Sequence, residues 1–221
     1  MDTLTKQGFT QVAPPILIQE AAMQGMGYLD QAGDEVYKAQ DDLYLVGTSE
    51  QSLGAMHMDE MLTAEEFPKR YAAYTPCFRR EAGSHGKDVK GILRLHQFNK
   101  VEMFSITTPE KSEDEHQFLL QQQRTIMDAF ELPYRVVRLA AGDLGAPSAK
   151  TYDIETWIPS EGKYRETHST SNTTTYQSRR LNIRYKNSEG ETQKVHMLNG
   201  TAVALSRLLI ALIENHQQPD G

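Results

Sequence analysis

Hydrophobic and polar positions alternate most clearly between residues 94 and 103. Successive side chains of a β-strand point to opposite sides, so residues two apart share a face. The alternation therefore predicts a strand with one apolar face and one face that mixes charged side chains with an aromatic ring. The polar face comprises Arg94, His96, Phe98, Lys100 and Glu102, and the apolar face comprises Leu95, Val101 and Met103.

A partner strand is predicted just upstream, because Arg79 and Glu81 repeat the two-residue spacing. The connection contains Gly83, Gly86 and Gly91, which indicates a loop and hence a β-hairpin. Residues 77–102 carry six Lys and Arg against three Asp and Glu, a local charge of +3 (six minus three), whereas the whole chain has a formal charge of −7. The hairpin is thus a basic element of an acidic protein.

Two interpretations of the polar face remain open. A strand that buries one face normally turns polar side chains to solvent on the other. However, Phe98 lies between Arg94 and Glu102, and a basic, glycine-bearing loop is adjacent. A flat ring for stacking, cations for phosphates and a carboxylate for an amino group would suit a nucleotide together with an amino acid.

The remaining pattern predicts helices and strands in a mixed order, which indicates the α+β class. The long helix after Thr108 and Pro109 has apolar positions at Leu119, Leu120, Ile126, Met127 and Phe130 and is predicted to serve packing. A C-terminal helix has a stripe of Leu205, Leu208, Leu209, Leu212 and Ile213, with Arg207 on the opposite side. The other predicted elements are a helix ending at Gly8, a strand before Pro14, a short helix within 19–40, strands at 43–46, 134–139 and 152–158, and a hairpin at 180–198.

Composition limits the possible functions. At 221 residues, with 38% hydrophobic and 24% charged residues, the chain is long enough for one well-buried domain. The lone Cys77 excludes an internal disulfide and a multi-cysteine zinc site, and is expected to be a buried filler. No apolar run reaches the length of a membrane span and no signal segment is visible, so a cytoplasmic location is expected. The acidic balance argues against nonspecific nucleic-acid binding.

The stretch YTPCFRREAGSHGKDVKGILRLHQFNKVEMF resembles motif 2 of the class II aminoacyl-tRNA synthetases, in its seryl form. The FRxEAG strand end, the GKDxxG loop and the RxHQFxKVE return strand stand in register. The resemblance implies an antiparallel β-sheet flanked by helices and a single catalytic domain over residues 1–221. Motif 1 would be truncated at the N-terminus, motif 2 would cover about 74–104 and motif 3 about 195–216, and the tRNA-binding coiled-coil arm would be absent.

The same resemblance implies roles for the hairpin residues. Arg79 would hold the α-phosphate and the amino-acid carboxylate, and Glu102 would bind the amino acid. Phe98 would stack on the adenine and Glu81 would meet its edge. Arg79, Arg94 and Arg207 would be the catalytic cations, and the further ATP contacts would come from Arg80, Leu95, Glu166, Thr167, His168 and Ser169.

The segment Thr48-Ser49-Glu50-Gln51 has two interpretations. Thr48 with Gln51 three residues on has the form of a capping box that opens a helix towards Met61. The resemblance instead implies the Thr-x-Glu serine-binding loop, with Ser49 where alanine is common. Asn199 and Thr201 would complete the serine pocket from motif 3.

Residues 164–172 are dense in oxygen ligands and also have two interpretations. They fit a polar Ser/Thr-rich loop. Alternatively Glu166 and Ser169 would hold an ATP-bound Mg²⁺, an ion that takes one or two carboxylates plus phosphate oxygens. His168 has no cysteine or second histidine nearby, so zinc is not expected.

The resemblance implies activation of L-serine by ATP, with Mg²⁺, to seryl-adenylate and pyrophosphate, and transfer of serine to the 3′-terminal adenosine of tRNA(Ser). A homodimer is expected, weakened if motif 1 is truncated. One alternative is an amino acid:carrier-protein ligase, whose amino-acid site is built around zinc with cysteine ligands that one cysteine cannot supply. The other is a non-catalytic module derived from a synthetase, which would be expected to have lost some of these arginines or carboxylates.

Overall fold

The computed structural model describes residues 1–82 and 91–220. The predicted loop positions Gly83 and Gly86 therefore lie outside the described residues. The helices are α1 Asp2–Lys6, α2 Glu20–Gly25, α3 Leu29–Ala32, α4 Glu50–Ala55, α5 Ser112–Ala129, α6 Tyr176–Arg180 and α7 Leu205–His216. Short 3-10 turns cover Gly33–Glu35, Ala64–Glu66, Pro109–Lys111, Ala141–Asp143 and Pro159–Glu161.

The strands form one large and two small sheets. They are β1 Thr10–Gln11, β2 Leu17–Gln19, β3 Leu43–Leu45, β4 Met61–Leu62, β5 Lys69–Phe78, β6 Gln97–Thr107, β7 Tyr134–Arg138, β8 Lys150–Ile158, β9 Lys163–Thr174, β10 Arg184–Lys186, β11 Thr192–Lys194 and β12 His196–Ala204. The large sheet has the order β1-β5-β6-β12-β9-β8-β7, and every pair is antiparallel except β1 with β5. The predicted α+β class with an antiparallel sheet flanked by helices is confirmed.

The two faces of the large sheet have different coverings. Alternate residues of β6 show this, because Met103 packs with Leu119 of α5 whereas Phe104 packs with Met197 and the chain around α4. Helices α5 and α7 together cover the first face, where Ile154 of β8 meets Leu208. The second face is apolar at Phe104 and Ile106 but continues along β6 into Glu102, Lys100 and Phe98. That polar half of the second face is left for the site.

Several predicted boundaries are wrong. The long β5–β6 pairing begins at Gln97, so Arg94 and His96 precede the strand, and Glu81 has a positive φ of 54° that ends the extended run. Helix α4 ends at Ala55 rather than near Met61. Asn199 and Thr201 lie inside β12, which continues to Ala204 before the last helix begins.

The polar loop considered for residues 164–172 is instead a strand, β9, in the middle of the sheet. Most of its Ser and Thr residues are buried, which is possible because their hydroxyls find partners on neighbouring strands. Ser171 Oγ lies 2.8 Å from Thr151 Oγ1, and Thr170 Oγ1 donates to the Asn199 carbonyl at 2.8 Å. Threonine favours β-strands, but the polar sequence of this segment lacks the apolar pattern from which a strand is normally predicted.

The two predicted helix stripes are partly wrong. On α7, Leu208 and Ala211 are buried against the sheet, whereas Leu209 and Ile213 are 45% and 58% exposed. On α5, Leu119, Leu120 and Met127 are buried as predicted, and Phe130 follows the helix at 37% exposure. Cys77 is fully buried as predicted, and burial raises the pKa of its thiol. Among the described residues, no helix combines the length and the apolarity that a membrane crossing needs.

Candidate active site

Two adjoining cavities open on the polar half of the second face. The first, called the Phe98 cavity, is lined by Arg79, Glu81, Leu93, Arg94, Leu95, Phe98, Lys100, Glu166, Thr167, Thr201, Ala204, Ser206 and Arg207. The second, called the Glu102 cavity, has a volume of about 460 Å³ and is lined by Gly27, Tyr28, Thr48, Glu50, Arg79, Lys100, Glu102, Gly145, Ala146, Pro147, Ser148, Glu166, Ser169, Ser171, Thr173, Asn199 and Thr201. Arg79, Lys100, Glu166 and Thr201 belong to both walls, so one ligand can extend through both cavities.

Arg79 is held between the cavities by contacts on two sides. Its Nε donates to the Gly47 carbonyl at 3.1 Å, and its guanidinium carbon lies 5.4 Å from the centroid of the Phe98 ring. The backbone N–H of Arg79 also donates to the His96 carbonyl at 3.0 Å, which continues the hairpin ladder beyond β5. The guanidinium is therefore positioned before any ligand arrives.

Cations concentrate at the mouth of the Phe98 cavity. Arg94 donates to the Glu81 carboxylate at 2.6 Å. Arg207 donates to the backbone carbonyl of Glu166 at 3.0 Å, and the Glu166 carboxylate lies 3.4 Å from the same guanidinium nitrogen. A neighbouring cavity of about 290 Å³ contains Arg94, Arg207 and Arg165. An array of guanidinium groups is suited to a polyphosphate. The predicted contact Arg80 is exposed, away from these walls, and its backbone N–H bonds to the Glu35 carbonyl.

Glu102 lies at the floor of the second cavity with a side chain only 2% exposed. Thr201 Oγ1 donates to its Oε2 over 3.4 Å, since Thr201 pairs directly with Glu102 across β12 and β6. Lys100 Nζ lies 2.5 Å from the same oxygen. A buried carboxylate beside a hydroxyl can receive both an ammonium group and a hydroxyl group.

The Thr48 segment acts as both a helix start and a cavity wall. Thr48 Oγ1 accepts from the Glu50 N–H at 3.3 Å, while Gln51 reaches back to the Gly47 N–H at 2.8 Å, one residue further than in a capping box. Thr48 and Glu50, two of the predicted serine-binding residues, also line the Glu102 cavity. Ser49 does not: it is fully buried, and its Oγ has no hydrogen-bond partner among the described residues.

Glu50 is a second buried carboxylate in this wall. It accepts hydrogen bonds from the Tyr28 hydroxyl at 2.9 Å and from Gln177 at 2.8 Å. Burial, together with the charge of Glu102, raises the pKa of Glu50, and burial beside Glu50 raises the pKa of Tyr28 well above its ordinary value. The sequence pattern assigned no role to Tyr28, Gln177 or Lys100. Only Lys100 had a signal, its place on the polar face.

A β-bulge explains why Glu166 and Ser169 line the same cavity. Residues three apart in a regular strand point to opposite faces. Here Ile154 pairs with His168 but Glu155 pairs with Glu166, so Thr167 is an extra residue in β9. The side chains of Glu166 and Ser169 therefore both line the Glu102 cavity, while Thr167 lines the Phe98 cavity.

The oxygen pair formed by Glu166 and Ser169 fits a magnesium ion that arrives with a nucleotide. A carboxylate and a hydroxyl are hard ligands, and two protein ligands leave the rest of the coordination shell to phosphate oxygens and water. Asp153 pairs with Ser169 on the neighbouring strand, and burial followed by the charge of Glu166 raises its pKa to about 6.

His168 does not reach either cavity. It pairs with Ile154, whose side chain packs under α7, and cross-strand partners share a face. Its Nδ1 lies 2.8 Å from Thr167 Oγ1, and burial lowers its pKa to about 4. The predicted ATP contact through the His168 side chain is therefore not supported by its position, which belongs to the covered face.

Known proteins that resemble this chain in sequence and fold point to one family. Residues 35–216 match the family model described as the tRNA synthetase class II core domain (G, H, P, S and T). The chain is 53% identical over 220 residues to the serine--tRNA ligase of Mycolicibacterium vanbaalenii, which covers 99% of this chain and 52% of that protein. It is 52% identical over 223 residues to the serine--tRNA ligase of a Sulfurihydrogenibium species, covering 100% of this chain and 54% of that protein.

The structural comparison agrees. The crystal structure of seryl-tRNA synthetase from Pyrococcus horikoshii complexed with ATP matches with a TM-score of 0.95 and 45% identity, over 99% of this chain and 49% of that one. The chain spans about half the length of the curated relatives that it matches. The chain belongs to the family of class II tRNA synthetase core domains.

Proposed function

We propose that this chain is the catalytic core of a serine–tRNA ligase, which activates L-serine with ATP. The observation that carries the proposal is the pair of adjoining cavities that share Arg79, one lined by an aromatic ring and arginines and the other by a buried carboxylate and a hydroxyl. The names of the relatives and the ATP bound to the Pyrococcus horikoshii protein support the same assignment.

In this proposal ATP occupies the Phe98 cavity. Its adenine stacks on the half-buried Phe98 ring, with Glu81 at the adenine edge and Leu95 and Thr167 nearby. The phosphates meet Arg79, Arg94 and Arg207. Because Arg94 is paired with Glu81 in the free protein, we expect ATP to separate these two side chains, since a phosphate competes directly for the guanidinium.

Serine would occupy the Glu102 cavity. Its ammonium group would meet Glu102 and Thr48, and its hydroxyl would lie near Thr201 and Asn199. The serine carboxylate would then point towards Arg79 at the junction of the cavities. A site built to hydrogen-bond a hydroxyl rejects the analogue without it by as much as about 10⁴- to 10⁵-fold, which would exclude alanine.

The chemistry needs alignment rather than proton transfer. The serine carboxylate is ionised at neutral pH, so it attacks the ATP α-phosphorus without a general base, and pyrophosphate leaves. Arg79 would orient attacker and phosphate, while Arg94 and Arg207 neutralise the charge of the leaving group. Mg²⁺, when bound by Glu166 and Ser169, supplies further neutralisation of the phosphates.

For the whole protein we propose tRNA(Ser) as the acceptor of the activated serine, a cytoplasmic location and a homodimer. The names of the relatives support the acceptor. The dimer is an expectation from the resemblance alone, and sedimentation analysis of the purified protein would test it. A monomer at micromolar concentration would remove this part of the proposal.

Pyrophosphate exchange into ATP tests the proposed function. With Mg²⁺ and each amino acid in turn, we expect exchange with serine and a response to alanine and threonine that is lower by at least about 100-fold. Exchange that depends on another amino acid would contradict the serine assignment. Zinc-dependent exchange would favour the carrier-protein ligase, and an absence of exchange with every amino acid would favour a non-catalytic module.

A further inference from the structure

Lys100 lines both the Phe98 cavity and the Glu102 cavity. Its side chain is only 7% exposed. Its Nζ lies 2.5 Å from Glu102 Oε2 and donates to Thr48 Oγ1 at 2.8 Å. Lys100 therefore connects strand β6 to the segment before α4, the two elements that form the inner end of the Glu102 cavity.

The charges at this inner end do not balance. Glu50 and Glu102 are both buried carboxylates, and within residues 1–82 and 91–220 the hydrogen bonds that the Glu50 carboxylate accepts come from the neutral side chains of Tyr28 and Gln177. One ammonium group, that of Lys100, thus faces two carboxylates, which leaves one negative charge when both carboxylates are ionised. The wall also contains the Arg79 guanidinium, which supplies a positive charge, and the Glu166 carboxylate, which would hold Mg²⁺. An amino acid in its zwitterionic form would match these charges, with its ammonium group at the inner end and its carboxylate near Arg79.

We infer that Lys100 is a positioning and specificity-determining residue for the amino acid. It neutralises one of the two carboxylates and fixes Glu102 and Thr48, so that the cavity keeps one uncompensated negative charge for the ammonium group of the substrate. The inference rests on the proposed function, because it takes the Glu102 cavity as the amino-acid site. An unpaired buried charge is costly, so a carboxylate without a cation favours a ligand that brings a positive charge to it.

In a variant without the Lys100 charge, binding of the amino acid should be coupled to the release of a proton. Two buried carboxylates without a cation share a proton, because ionisation of one disfavours that of the other. Arrival of the serine ammonium group would then favour two ionised carboxylates and release that proton. The charged and titratable groups around Lys100 are Glu102 on β6, Glu50 on α4, Tyr28 between α2 and α3, Cys77 on β5, Arg79 after β5 and Glu166 on β9.

Calorimetry of L-serine and of ATP separates this role from a structural one. The variants are Lys100→Met, Lys100→Gln as a second uncharged variant, and Lys100→Arg, which keeps the charge. Lys150→Met is the matched control, because Lys150 also lies 2.5 Å from a carboxylate, that of Glu113, but outside both cavities. Titrations at pH 7 in two buffers of different ionisation enthalpy give the number of protons released.

We expect Lys100→Met to weaken serine binding by at least about tenfold, while ATP binding without serine changes by less than about threefold. Serine should release a substantial fraction of one proton from the Met and Gln variants, and close to none from the wild type, Lys100→Arg or Lys150→Met. If the Met variant does not fold, the Gln variant decides by the same criterion.

Two failures are distinguishable. Serine affinity within about threefold of the wild type in the uncharged variants, without proton release, would overturn the role of Lys100 and leave the proposed function intact. A wild-type protein that does not bind serine would overturn the proposed function, and the inference with it.

Discussion

Arg79 is the residue on which both halves of the proposed reaction depend. It belongs to the walls of both cavities, and the Gly47 carbonyl and the Phe98 ring fix its guanidinium from two sides. A cation in this position can contact the serine carboxylate and the α-phosphate together. Its contribution should therefore be larger in the transition state, where these groups approach each other, than in either separate complex.

Replacement of Arg79 by Ala should lower serine-dependent pyrophosphate exchange by at least about 100- to 1000-fold, the range for loss of one preorganised donor. Exchange kinetics measure the loss. Arg138→Ala, an exposed arginine of β7, is the control and should leave exchange unchanged. Exchange near the wild-type rate in Arg79→Ala would remove Arg79 from its assigned place.

Thr201→Val tests recognition of the serine hydroxyl. Thr201 Oγ1 lies 3.4 Å from the Glu102 carboxylate, and valine keeps the shape but loses the hydrogen bond. We expect kcat/KM for serine to fall by about tenfold and that for alanine to stay unchanged, as measured by exchange with each amino acid. Thr125→Val on the exposed side of α5 is the control. Equal losses for both amino acids would instead indicate a general disturbance.

Individual site residues could be predicted where they lie on one strand face. The alternation of Phe98, Lys100 and Glu102 is visible in the sequence, and these three side chains do line the cavities. Tyr28 and Gln177 could not be found in this way. They are 149 positions apart (177 minus 28), and only the folded chain brings both to the Glu50 carboxylate.

Among the elements, α5 does more than pack. Gln123 is fully buried, and its side-chain amide donates to the carbonyls of Ser169 and Thr201, each at 2.8 Å. Both acceptors lie beside bulges, where the regular ladder is interrupted. The helix thereby supports, from the opposite face, two strand segments whose side chains line the Glu102 cavity.

Gln123→Leu should lower the free energy of unfolding by about 2 kcal/mol, because two buried carbonyls lose a donor. Urea unfolding followed by circular dichroism measures the change. The control is Gln121→Leu, which alters the exposed side of the same helix and should change stability by less than about 0.5 kcal/mol. Equal stabilities of the two variants would show that the Gln123 bonds contribute little.

His116 gives α5 a pH-dependent contribution to stability. Burial lowers its pKa below the ordinary 6.5, while Nε2 bonds to the Thr170 carbonyl at 3.0 Å. Below about pH 6.5 the unfolded chain therefore binds a proton that the folded chain resists, so the free energy of unfolding falls as the pH falls. Above that pH the residue adds no pH dependence.

Urea unfolding at pH 7.5 and pH 5.5 checks this expectation against His116→Gln, which retains a donor for Thr170. The wild type should lose more stability between the two pH values than the variant does. The carboxylates are the same in both proteins, so the difference isolates the histidine. An identical loss in both would show that His116 titrates normally in the folded protein.

Element prediction succeeded where apolar periodicity was strong and failed where a polar segment was buried. The hairpin strands and α5 followed their patterns, within a few residues at each end. Strand β9 was hidden because its buried hydroxyls are satisfied by neighbouring strands that no local pattern reveals. The stripe on α7 was misjudged because tertiary packing selects which apolar side faces the sheet, here that of Leu208 and Ala211.

At the scale of the whole molecule, the sheet order creates the site. Strands β6 and β12 are far apart in the sequence but adjacent in the sheet, and β9 lies next to β12. Glu102, Thr201 and Ser169 thereby reach one cavity from three segments. The fold class could be predicted from the sequence pattern and the resemblance. The bulge that brings Glu166 and Ser169 to the same cavity could be identified only from the register of the strands.

The central claim is that one ligand extends through both cavities, with an adenine on Phe98, a phosphate-like group at Arg79 and a seryl ammonium group at Glu102. A crystal structure with a non-hydrolysable sulfamoyl analogue of seryl-adenylate tests it most directly. We predict the adenine stacked on Phe98, the sulfamoyl linker within hydrogen-bond distance of Arg79 and the seryl nitrogen within hydrogen-bond distance of Glu102. An analogue bound elsewhere, or bound with its seryl group away from Glu102, would contradict the account.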